Sequence, residues 1–133
     1  MQPLIPDAGF FPTLVFDPDP ASARAIAEQL AGRGISVHLA KSAEDALQSA
    51  RQMYFRVVFV VADLANEDCL RFLDAMRLGA PTSWLIVSNA RADSALRRAV
   101  YRHGGDALLE TPVDISDLVE RISGFQARSR PVW

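Results

Sequence analysis

The sequence predicts an α/β domain: a doubly wound parallel sheet of five strands flanked by five helices. Three observations predict it. Short apolar, β-prone runs alternate along the chain with segments whose apolar residues recur at helical spacing, the order expected of βαβ units. The run Val57–Val61 is apolar at every position without alternation, as a strand covered on both faces must be. The length of 133 residues, half of them apolar, is enough to close one hydrophobic core.

Each element has its own justification. Thr13–Phe16 is β-prone and stops at Asp17-Pro18-Asp19-Pro20, where Pro20 suits a first helical position because its missing N–H leaves no bond unmade. Ala23, Ile26, Ala27 and Leu30 then form one helical face, ended by Gly32 and Gly34. Ile35–Leu39 reads as the second strand. Ser42 and Asp45 form a variant capping box ahead of Ala43, Ala46, Leu47 and Ala50. After Val57–Val61, Leu70, Leu73 and Met76 mark the third helix, and Trp84–Val87 is a strand ending in polar Ser88-Asn89. Leu96, Ala99, Val100 and His103 give the fourth helix, closed by Gly104-Gly105. Ala107–Leu109 is a short fifth strand, and Ile115, Leu118, Val119 and Ile122 follow Pro112 as the fifth helix. The tail from Gln126 to Trp133 is polar and aperiodic, and reads as a polar tail or linker stub.

Composition excludes several classes of function. A net charge of -2 with no Lys/Arg stripe argues against direct nucleic-acid binding, since phosphate contacts need clustered cations. The single cysteine, Cys69, permits no internal disulfide and reads as a small buried hydrophobe. Met1–Phe11 shows no secretory signal, and the longest apolar run, Val57–Ala62, is too short to span a bilayer, so a soluble cytoplasmic protein with no membrane contact is expected. His38, His103 and Cys69 lack metal-ligand spacing, and both histidines read as structural. No Ser/His/Asp nucleophile elbow is present, so an enzyme is not expected. A nucleotide- or flavin-binding domain finds little support either, because the loop after the first strand is acidic and rigid and lacks a glycine-rich phosphate cradle.

In sheets of this kind the functional crevice lies beyond the carboxyl ends of the strands. That makes Asp17–Pro20, the stretch after Val61, Ser88-Asn89 and Glu110–Pro112 the residues of interest, and along the chain the local texts Leu14-Val15-Phe16-Asp17, Ser42-Ala43-Glu44-Asp45-Ala46-Leu47, Leu85-Ile86-Val87-Ser88, Gly104-Gly105-Asp106-Ala107 and Glu110-Thr111-Pro112-Val113-Asp114 appear in order. Together they resemble the receiver domain of bacterial response regulators, over residues 12–125. The resemblance implies the flavodoxin-like strand order 2-1-3-4-5. It also implies a chemistry in which an aspartate ending the third strand takes a phosphoryl group beside a divalent metal. A Ser/Thr and a Lys before a proline then hold the phosphoryl oxygens.

Against that pattern the site is degenerate. Asp17 matches the first acidic position, but Pro18 occupies the second and Asp19 is displaced by one residue. Both acids also suit turn formation and helix capping. Gap-free counts from Ser42–Leu47 forwards, and from Leu70, Phe72, Leu73 and Arg77 backwards, place Val61 at the acceptor position. The rival acceptor is Asp63, which needs a shifted strand end. Mg2+, held by Asp17 and Asp63, is expected only if Asp63 is live; otherwise no cofactor is expected. Ser88 matches the hydroxyl position. Thr111 replaces the lysine before Pro112, with a cis Thr111–Pro112 bond implied, and Leu108 replaces the switch aromatic.

The expectation is therefore a pseudo-receiver acting by protein–protein contact or dimerisation. Arg97, Arg98, Tyr101 and Arg102 would face Asp114, Asp117 and Glu120 across a two-fold. The alternative is a live phospho-receiver that takes a phosphoryl group on Asp63 from a histidine kinase.

Overall fold

The computed structural model describes residues 11–62 and 67–131. Thr13–Phe16 (β1) is buried at every position and pairs in parallel with Val37–Leu39 (β2) on one side and Val57–Val61 (β3) on the other. β3 pairs with Trp84–Asn89 (β4), and β4 with Ala107–Glu110 (β5), giving the order β2-β1-β3-β4-β5. The expected doubly wound five-stranded sheet is the observed one. The helices between the strands are Pro20–Gly32 (α1), Ala43–Gln52 (α2), Glu67–Gly79 (α3), Ser94–Arg102 (α4) and Ile115–Gln126 (α5).

Alternation along the strands builds two cores. Leu14, Val58, Val60, Leu85, Val87 and Leu108 face Ala46 and Ala50 of α2, Leu73 and Met76 of α3, and Val100 of α4. Val15, Val57, Phe59, Ile86 and Ala107 point the other way, onto Ile26 and Leu30 of α1 and Leu118, Ile122 and Phe125 of α5. β3 can be apolar throughout because both of its faces are covered. Cys69 is half-buried against the first of these cores.

The helix starts follow their sequence signals. Ser42 Oγ accepts the Asp45 N–H at 3.0 Å, and the Asp45 carboxylate reaches back to the Lys41 N–H at 2.8 Å, a reciprocal cap of the predicted kind. Three strand boundaries differ from the sequence reading, the smallest change being in β5, which runs one residue further, to Glu110. β2 begins at Val37, because the Ile35 N–H turns back to close α1 on Leu30 O at 3.0 Å. β4 runs on through Ser88 and Asn89, whose backbones stay in the ladder opposite Leu109 and Glu110 of β5.

Glycines allow two tight approaches, and at Gly104, where φ is +92°, a Cβ would lie 2.8 Å from Arg77 Cβ. A Cβ at Gly105 would lie 2.3 Å from Val100 Cγ1, so the absence of a side chain there lets α4 sit directly on the sheet.

Candidate functional site

The carboxyl ends of β1, β3, β4 and β5 converge at one edge of the sheet. The ladder places Val61 directly opposite Ser88. Ala62 N–H donates to Ser88 O at 2.9 Å, and Thr111 N–H to Asn89 O at 2.7 Å, so the β4 and β5 ends are fixed relative to β3 by main-chain bonds. Ser88 is fully buried, and its hydroxyl shares a short hydrogen bond with the Thr111 hydroxyl. The Thr111–Pro112 peptide bond is cis.

Val61, Ser88, Thr111 and Pro112 line one cavity of about 230 Å3 together with Ile26 of α1 and Ile115 of α5. Among the described residues, no charged side chain lines it. An anion placed there would meet hydroxyls, the Gln29 side-chain amide and alkyl groups, and no compensating cation among the described residues, so burying a phosphoryl group in it would be costly. Val61 itself packs toward the α1–α5 core.

Asp17 and Asp19 are elsewhere. Asp17 is 7% exposed, and its Oδ1 accepts the Asp19 N–H at 2.9 Å, the bond of an Asx turn. Asp19 is the N-cap of α1 and accepts the Ala21 N–H at 3.1 Å. Asp17 lines a different cavity, beside Arg24 and Lys41, facing the β2–α2 connection. Thus Val61, Ser88, Thr111 and Pro112 are brought together, while Asp17 and Asp19 are engaged in local turn and cap geometry.

Asp63 lies outside the described residues. Among the described residues no three His, Cys, Asp or Glu side chains form a group able to hold a metal ion. A divalent cation of Mg2+ type needs oxygen ligands in near-octahedral array. Asp17 offers one such carboxylate among the described residues, and Asp63, the other ligand expected of a live site, lies outside them.

Leu108, in the place of the switch aromatic, is buried beneath α4 with Val87 and Val100. The two histidines make structural contacts: His38 Nε2 lies 3.2 Å from Ser49 Oγ, and His103 Nδ1 lies 2.9 Å from Asp74 Oδ1 at the end of α4.

On the α4–α5 side, Arg98, Tyr101 and Arg102 are exposed, as are Asp114, Asp117 and Glu120, whereas Arg97 is half-buried. Asp114 caps α5 by accepting the Asp117 N–H at 3.0 Å. Among the described residues, no ion pair joins the α4 arginines to the α5 acids.

One cluster was not apparent from the sequence. Arg77, at the end of α3, donates to Gly104 O, Ala80 O and Ser83 O and pairs with Asp106 at 2.9 Å. Burial pulls its guanidinium pKa below the usual value, Asp106 opposes that, and neighbouring Arg130 adds to it. The signal was weak because two of the partners, Gly104 and Asp106, are 27 and 29 residues away.

A family model described as the response regulator receiver domain matches residues 13–123. A response regulator from Thermotoga maritima superposes with a TM-score of 0.77 at 22% identity, covering 90% of this chain and 100% of that one. A CheY-like receiver domain protein from Methanospirillum hungatei gives 0.77 at 22% identity, over 87% of this chain and 93% of the other. An orphan response regulator of H. pylori gives 0.75 at 20% identity, over 92% and 100% respectively. A search of curated protein sequences finds no match. The structural likenesses speak to the fold, while the family model spans most of the chain. With this sheet order and these strand-end positions, the chain belongs to the response regulator receiver domain family.

Proposed function

We propose that this receiver domain signals without phosphoryl transfer and acts as a protein-interaction or dimerisation module. The observation that carries the reading is the pairing of Val61 with Ser88 at the end of β3. The gap-free acceptor position thereby holds an alkyl side chain, next to a hydroxyl already bonded to Thr111. A valine offers no nucleophile, and a threonine in the lysine position offers no cation for a phosphoryl group. In this reading the domain needs no metal cofactor, performs no catalysis and works in the cytoplasm.

The working surface is then the α4–α5 face. Arg98 and Arg102 on one helix and Asp117 and Glu120 on the other form no ion pair among the described residues. A two-fold partner would match each sign with its opposite twice. Isolated exposed pairs contribute little, so the steering comes from the whole patch.

Sedimentation velocity over a range of protein concentrations, with and without acetyl phosphate and Mg2+, tests the reading. Self-association that is present and insensitive to acetyl phosphate is expected. Association that appears only with acetyl phosphate would overturn the reading in favour of a switch on Asp63. A monomer under both conditions would remove dimerisation and leave a different protein as the partner.

A further inference from the structure

The last turn of α5 buries Phe125 and Gln126, and Gln126 Nε2 donates to Phe11 O at 3.0 Å. Beyond it the chain keeps close to the domain. The Trp84 ring stacks on Phe125 with centroids 4.3 Å apart and planes within 9°. The Arg128 guanidinium stands 5.0 Å above the Trp84 ring and 5.4 Å from that of Phe125, while its carbonyl accepts the Trp84 Nε1–H at 3.0 Å. One face of the indole is thus taken by Phe125, a cation lies over the ring, and its N–H is bonded to the same backbone unit.

Two residues on, Arg130 Nε approaches both Asp106 oxygens, at 2.9 and 3.1 Å, and Nη1 reaches Pro81 O at 3.2 Å. The Asp106 carboxylate already accepts the Leu85 N–H at 2.8 Å and pairs with Arg77. Its side chain is 12% exposed and that of Arg130 19%. Charge-assisted bonds this sheltered are weakly screened by salt and geometrically specific. The seat combines the ends of α3 and α4, through Arg77 and Gly104, with the starts of β4 and β5, through Trp84 and Asp106.

We propose that residues 127–131 form a fixed strap clamped by Asp106, in place of a free tail. The strap sets the direction in which the chain leaves the domain, at the sheet end opposite Ser88 and Thr111. A segment attached to it is carried rigidly with the α3–α4 end of the domain, and is not loosely tethered. Neither the seat nor the strap uses any residue of the strand-end cavity, so this inference is independent of the phosphorylation reading.

The test is 15N relaxation of the 133-residue chain, with limited trypsin digestion after Arg128, on wild type and Arg130→Gln. In wild type, order parameters near about 0.85 are expected across 127–130, as in α5. In R130Q they should fall toward or below about 0.6, and cleavage after Arg128 should rise about tenfold or more. Arg77 and Asp106 remain paired in that variant, so α5 and the sheet serve as internal controls. A second variant, Arg128→Gln, removes the cation over Trp84 and leaves Asp106 untouched. Trypsin cannot cut at the substituted position, so this variant is read by relaxation alone, with a smaller loss of order expected. A wild-type tail already as mobile as a free peptide would overturn the proposal. So would an R130Q tail with unchanged order and cleavage.

Discussion

Ser88 and Thr111, 23 residues apart in sequence, bond hydroxyl to hydroxyl across the ends of β4 and β5. The two positions that would hold phosphoryl oxygens in a live receiver thus satisfy one another. Ser88 is fully buried, whereas Thr111 is half-exposed, and this makes the pair asymmetric. Thr111→Val strands a buried hydroxyl and should cost about 1–3 kcal/mol, while Ser88→Ala leaves Thr111 within reach of water and should cost about 1 kcal/mol. Urea unfolding of both single variants and the double variant checks this. The double variant should lose less than the sum of the singles, because no unpaired group remains.

Val61 should tolerate a carboxylate poorly. Val61→Asp places a charge beside Ile26 and Ile115 in a cavity lined by no cation among the described residues, and should cost about 1–3 kcal/mol at neutral pH. Burial disfavours the charged form, so the folded-state pKa of the new group lies above its unfolded value. Its penalty is therefore small below the unfolded pKa and grows as pH rises through that range toward neutral. Chemical denaturation of V61D and wild type at acidic and neutral pH reads the difference directly. An unchanged or increased stability at neutral pH would mean that the position accepts an acid as a live acceptor site would.

Gly105 holds α4 against the sheet. Gly105→Ala drives a methyl group to within 2.3 Å of Val100 Cγ1, and should destabilise the domain by about 1–3 kcal/mol through overpacking. Thermal unfolding measures the loss. Val100→Ala in the same chain should recover part of it by making room, although Val100→Ala alone is itself destabilising.

The α4–α5 patch should be sensitive to charge. Reversing Arg98 and Arg102 to Glu sets like charges against Asp117 and Glu120 of a two-fold partner, and should shift the monomer–dimer midpoint upward by about tenfold or more. Stability of the monomer should change by less than about 0.5 kcal/mol, because these side chains are exposed and form no ion pair among the described residues. Concentration-dependent sedimentation and urea unfolding separate the two effects.

Most of the fold was legible because its signals are local. The unbroken apolar run of β3 announces a doubly covered strand, and Ser42 with Asp45 announces the start of α2. Boundaries were less legible where the ladder overrides polarity. Ser88 and Asn89 look like loop residues, yet their backbones are held opposite Leu109 and Glu110, and β4 continues through them. At the strand ends, residue spacing placed Val61, Ser88, Thr111 and Pro112 together. It could not show that Asp17 faces another cavity, since that depends on the turn through Asp19. The Arg77–Asp106–Arg130 cluster was not legible, because it joins four elements and a tail that looks like a linker. Long-range polar contacts leave no periodicity to read.

The most direct measurement of the central claim is intact-mass analysis of the folded protein after incubation with acetyl phosphate and Mg2+, run beside Asp63→Asn. No phosphoryl adduct is expected on either protein. An adduct on wild type that is lost in D63N would contradict the central claim, and would make Asp63 the acceptor of a working switch.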